Sequence, residues 1–173
     1  MTFAGVLTMK LEWMGRNREL IRMLYKYINL SSKPDKPIPD KSGISINAQQ
    51  WQTLECIIEY EDENKNMAFM AKQMGIPKSS FTKNIKLLVD YGLIDRYQQA
   101  GNRKDIILKP SNKGRAFYQK RSKVIFEYGW KEPFAALDKL TDENLAIFVE
   151  FLLKMAAEKE PENNKARELF KLQ

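Results

Sequence analysis

Residues 75–94 read GIPKSSFTKNIKLLVDYGLI, and the glycine at each end frames a single amphipathic helix. At helical spacing Phe81, Ile85, Leu88 and Val89 fall at i, i+4, i+7 and i+8, a stripe that needs a core to cover it. Pro77 suits the first turn of such a helix, and Gly92 stops it. Just before Gly75, the stretch MAFMAKQM behind Asn66 spells a short capped helix. Just after Gly92 the apolar period changes from 3.6 to 2. LIDRYQQ and DIILK then read as two strands joined by the turn AGNRK, with a glycine in it. A short helix, a turn, a second helix and a hairpin in that order predict a winged helix-turn-helix.

The outer face of the framed helix is unusual. Lys78, Ser79, Ser80, Thr82, Lys83 and Lys86 lie away from the stripe, and no acid precedes Asp90. A merely solvated helix face more often mixes both signs about four residues apart. Hydroxyls and lysines without carboxylates suit phosphate oxygens and base edges, whereas a carboxylate there would be repelled by a duplex. The charge totals agree. The chain has 29 Lys+Arg and 22 Asp+Glu in 173 residues, a net charge of +7. Twelve of the bases and three of the acids lie between Lys78 and Lys123. The remaining seventeen bases and nineteen acids leave the rest of the chain slightly acidic. The positive excess is therefore confined to one stretch, as expected of an electrostatic footprint for nucleic acid.

Elsewhere the pattern is helical. LEWMGRNRELIRMLYKYINL (11–30) predicts a first helix, and the proline-rich SSKPDKPIPDKSG that follows predicts a loop. Asn47 with Gln50 three residues on has the spacing of a capping box, opening a helix with Trp51, Leu54, Ile57 and Ile58 inward. Helical pattern resumes from Ser111 to about Tyr128. It returns from Thr141 to about Glu158, where Thr141 is the expected cap and Asp142 and Glu143 suit the helix dipole.

Several functions are disfavoured. The chain contains no histidine and one cysteine, Cys56. A disulfide framework within the chain is thereby excluded and a reducing, cytoplasmic compartment expected. The usual transition-metal ligands are missing, so neither a metal nor another cofactor is expected. No Gly-rich phosphate loop and no Ser or Cys beside a candidate base suggests an enzyme. No apolar run approaches the roughly 18 residues that span a bilayer. Cys56 has no basic neighbour in its helix to make it a reactive thiolate. Met67, Met70 and Met74, at i, i+3 and i+7, read as core.

Taken together these segments resemble the MarR (multiple antibiotic resistance regulator) family of transcription factors. INAQQWQTLECI is similar to the family's second-helix start, and FMAKQMGIPKSSFTKNIKLLVDYGLIDR to its helix-turn-helix and first wing strand. NRKDIILKPSNKG fits the wing pattern Asp-x-Arg followed by Leu-Thr-x-x-Gly, with Asn102 at the Asp position and Lys104 at the Arg position. LTDENLAIFVEFLLKM looks like the C-terminal dimerisation helix. The resemblance covers roughly 44–157. It implies a homodimer on double-stranded DNA, with recognition helices in successive major grooves and wings at the minor grooves. Asn102, Arg103 and Lys104 would then sit at the wing tip, where Arg103 is able to enter a minor groove.

The expected fold class is mainly α with a small β-hairpin wing, flanked by N- and C-terminal dimerisation helices. The expected organisation is an N-terminal helix and Pro-rich loop (1–43), a DNA-binding domain (44–110) and C-terminal helices (111–173). Leu145, Phe148, Leu152 and Met155 form a stripe too broad for one domain to hide, and Leu20 and Leu24 of the first helix are its natural counterpart. The resemblance also implies a cleft for a small aromatic effector, for which Trp13, Tyr25, Trp51, Tyr118 and Trp130 are candidates; core and dimer packing is the preferred reading of these five. The competing function is a winged-helix module that docks proteins, which has no need of a basic recognition face.

Overall fold

The computed structural model describes residues 12–31, 42–99 and 102–159, without the side chains of residues 12, 13, 18, 99 and 102–105. The chain divides into two compact units, Met1–Ser111 and Asn112–Gln173.

The first unit is organised by its caps. Asn47 starts helix α2 (Ala48–Glu59) with a complete capping box. Its Oδ1 accepts from the Gln50 N–H, and Gln50 Oε1 accepts from the Asn47 N–H, each at 2.9 Å. Asn66 caps α3 (Met67–Gln73) by accepting from the Phe69 N–H at 3.0 Å. Helix α4 spans Lys78–Asp90, with Pro77 at its N-cap and no side-chain cap. Both α3 and α4 end in a glycine with φ above +60°, Gly75 and Gly92, a conformation that a Cβ disfavours. At each, two backbone bonds close a Schellman motif: Gly75 N–H to Lys72 and Ile76 N–H to Ala71, then Gly92 N–H to Val89 and Leu93 N–H to Leu88.

Leu93 leads directly into strand β1 (Ile94–Gln99), which pairs antiparallel with β2 (Asn102–Pro110). The second strand begins at Asn102, three residues before the expected start. The register slips between Gln98 and Gln99, and this irregularity keeps the polar residues from Asn102 onward in the ladder. A bridge between Asn66 and Ile107 ties the hairpin to the start of α3. Ser111 closes the joint, its Oγ donating to the Gly92 carbonyl at 2.7 Å and its N–H to Leu93 at 3.0 Å.

Leu54, Ile57, Met70, Phe81, Ile85, Leu88 and Leu93 have no exposed surface, and Ile94 and Leu108 almost none. Ile58, expected inward, is half-buried, as are Met67 and Met74. Ile44 and Ile46, which follow the proline-rich segment, join the core. Beside them, Tyr91 Oη donates to the Ser45 carbonyl at 3.3 Å. Helix α1 (Arg18–Ser31) follows a short 3-10 segment, Glu12–Asn17, that is non-helical at Gly15. Leu20, Met23, Tyr25, Tyr27, Ile28 and Leu30 of α1 are exposed.

The second unit contains α5 (Asn112–Ile125), a π-helical turn (Phe126–Trp130), α6 (Lys131–Leu137) and α7 (Asp142–Ala157). Thr141 caps α7 by accepting from the Asn144 N–H at 3.2 Å. Helix α6 was not expected from the sequence. Pro133 falls in its first turn, where no intrahelical N–H is needed. Gly114 and Phe117 are buried; from Phe126 to Lys159 no residue is.

Candidate nucleic-acid interface

Helix α4 is amphipathic in fact as well as in pattern. Phe81, Ile85 and Leu88 hold one face in the core. Lys78, Ser79, Thr82, Lys83 and Lys86 are exposed on the other, and Ser80 is half-buried at its margin. Among the described residues no carboxylate pairs with Lys78, Lys83 or Lys86. Three ammonium groups therefore face solvent without a carboxylate partner among the described residues, the state in which neutralising phosphates releases the most counterions.

The hydroxyls are not equivalent. Thr82 Oγ1 donates to the Lys78 carbonyl one turn back at 2.8 Å. Its one proton is used, so toward a ligand it only accepts, for example from a cytosine N4 or adenine N6 amine, and its methyl is free to meet thymine. Ser79 keeps both roles open. Pro77 supplies no side-chain oxygen to the first turn of α4, which carries Lys78 and Ser79.

The wing adds Arg96, exposed on β1. The backbones of Asn102, Arg103 and Lys104 open β2, but their side chains lie outside the described residues. In the second unit Lys113, Arg115, Lys120 and Lys123 are exposed, and Arg121 sits over the Phe117 ring with its guanidinium carbon 6.0 Å from the centroid.

Cys56 lies in a shallow groove of about 300 Å³ lined also by Glu55, Glu59, Tyr60, Gln73 and Met74. Burial pushes its thiol pKa up, and the neighbouring Glu59 carboxylate pushes it further. Its Sγ–H points to the Met70 carbonyl at 3.9 Å. This is the environment of an unreactive thiol. Of the aromatic candidates for an effector cleft, Tyr25, Trp51, Tyr118 and Trp130 do not line that groove. Trp51 is buried in the core, Tyr25 and Trp130 are exposed, Tyr118 is half-buried, and the Trp13 side chain lies outside the described residues. No group of three or more His, Cys, Asp or Glu among the described residues is placed to hold a metal ion. No described helix is long and apolar enough to cross a membrane.

Capped helices, two Schellman turns, a second helix buried on one face and basic on the other, and a hairpin define a winged helix-turn-helix fold. Residues 46–106 match the model of the MarR family. The S. aureus MepR structure, solved with DNA, superposes with a TM-score of 0.57 at 16% identity, over 82% of this chain and 96% of MepR. PcaV of Streptomyces coelicolor, solved with its natural ligand, gives 0.57 at 14% identity, over 88% and 98%. The zinc-responsive ZitR of Lactococcus lactis gives 0.54 at 17% identity, over 83% and 99%. These likenesses are of fold. No curated protein matches the chain by sequence.

Proposed function

We propose that the protein binds a roughly palindromic duplex site as a homodimer and regulates transcription from it. One observation carries the reading. The exposed face of α4 offers Lys78, Ser79, Thr82, Lys83 and Lys86 with no acid before Asp90, while its opposite face is locked in the core. Lys83 and Lys86 are assigned to phosphates, and Ser79 and Thr82 to base edges. Lys78 and Ser80, in the first turn, are also assigned to the duplex, and Asn102, Arg103 and Lys104 to the adjacent minor groove.

The dimer reading rests on apolar exposure. Leu145 and Leu152 of α7 and Leu20 of α1 are exposed, Phe148, Met155 and Leu24 are half-buried, and a second copy is the surface that would cover them. Two recognition helices about 34 Å apart then meet successive major grooves, which requires a palindromic site. A small-molecule effector, for which an aromatic is the expectation from the sequence, is in keeping with PcaV, which is solved with its natural ligand. We assign the protein no catalytic reaction and place it in the cytoplasm, where a reduced Cys56 and access to DNA both fit.

The test is a footprint on the DNA upstream of the protein's own gene, paired with selection from random duplexes. A protected palindrome of about two half-sites one turn apart is expected. Binding that shows no preferred sequence, or only half-site protection by a sedimenting monomer, would sink this reading.

A further inference from the structure

The inner face of α4 is apolar except at one position. Asn84 is 5% exposed and its side chain faces α2. The Thr53 hydroxyl there donates its single proton to the Gln49 carbonyl at 2.8 Å, so its oxygen is left to accept. Asn84 Nδ2 donates to that oxygen at 2.9 Å and to Gln49 Oε1 at 3.3 Å. Both amide hydrogens of α4's one buried polar side chain are thus held by one turn of α2.

Apolar side chains at both Asn84 and Thr53 would hold the two helices together about as well, because replacing both partners of a buried hydrogen bond is nearly neutral. The amide adds direction instead. Apolar contact tolerates a helix turning a little about its axis, whereas a hydrogen bond weakens steeply with angle. The tolerance matters on the outer face. At a helix radius of about 5–6 Å, a turn of about 15° moves a side-chain tip by about 1.5 Å. That exceeds the spread within which a bidentate contact to a base edge survives.

We propose that Asn84 is a positioning residue of DNA recognition. Its hydrogen bonds to Thr53 and Gln49 fix the rotation of α4 on α2, and so decide which base edges Ser79 and Thr82 meet. It does this without touching DNA. The proposal rests on α4 being the base-reading helix.

The experiment compares affinity for the selected duplex with affinity for random duplex, in the full chain. Asn84→Leu should keep its affinity for random duplex and lose about tenfold in the ratio, the scale of one mismatched base pair. Thr53→Val should reproduce that loss, and Thr53→Ser, which keeps the hydroxyl, should restore the wild-type ratio. The double variant Asn84→Leu/Thr53→Val should fall no further than either single one, as expected of residues acting through one shared hydrogen bond. Wild-type protein with no preferred duplex would refute the DNA-binding reading itself, before any variant is made. A wild-type preference that Asn84→Leu and Thr53→Val both retain overturns the role of Asn84 alone. If Asn84→Leu does not fold, the Thr53→Val and Thr53→Ser pair decides, since valine keeps the shape of threonine.

Discussion

The two units of the chain use apolar residues in opposite ways. In the first, Leu54, Ile57, Phe81, Ile85, Leu88 and Leu93 are wholly covered, and the winged helix builds its own core from α2, α3, α4 and the hairpin. In the second, Ile147 and Leu153 are about two-thirds exposed and Tyr128 nearly fully so. A helix as apolar as α7 that buries none of its residues is not complete by itself. The difference separates a core closed by its own contacts from an apolar surface that, on the reading proposed above, a second copy covers, and each half of that statement can be attacked.

The largest effect should come from the core. Phe81→Ala should cost about 3–5 kcal/mol, read from denaturant melts, because it empties a sealed site. Leu153→Ala, exposed in the single chain, should change the melt by less than about 0.5 kcal/mol at dilutions where the protein is monomeric. Equal costs would erase the contrast between the units. Next, Leu152→Asp should convert the dimer to a monomer with an intact winged helix, and reduce affinity for the full site by about a hundredfold. A variant that still sediments as a dimer would move the interface away from α7.

Charge effects come third. Lys83→Ala and Lys86→Ala should each weaken binding to every duplex and lower the salt slope by about one for each phosphate that a subunit no longer neutralises. Fourth, Asn47→Ala should destabilise the first unit by about 1 kcal/mol in thermal melts, the usual worth of an N-cap. The smallest effect concerns Cys56. With its thiol pKa raised by burial and Glu59, alkylation at pH 7 should be slower than for a free thiol. The fold favours the neutral form, so this contribution to stability is present below the ordinary thiol range, near pH 8.5, and is lost as pH rises through the raised value. Rapid alkylation of the native protein would show that the thiol is not held this way.

Much of the winged helix was legible because local chemistry decided it. Asn47 with Gln50, Asn66, Thr141, Gly75 and Gly92 are start and stop signals whose physics needs no tertiary partner. The outer face of α4 was legible for the same reason, since periodicity alone assigns its sides. What escaped the sequence depends on distant contacts. Ile44 and Ile46 look like loop residues behind prolines until the core and Tyr91 claim them. Asn84 reads as one more polar residue in a helix, and only Thr53, 31 positions away, explains its burial. Helix α6 was hidden by Pro133, a breaker everywhere except in a first turn. The early start of β2 depended on a slip in register that alternation does not encode.

One further consequence follows from the joint at Gly92. The end of α4, the start of β1 and the end of β2 are hydrogen-bonded within a few residues of one another, through Val89, Leu88, Gly92, Leu93 and Ser111. The helix to which we assign base reading and the wing are thus branches of one hydrogen-bonded node, and on that reading the interval between what each would touch behaves as a ruler cut into the backbone. Drift at side-chain positions is able to rewrite which letters a target site contains. It has far less power to change how far apart they stand, so descendants of this chain should diverge in the vocabulary of their sites while sharing the spacing.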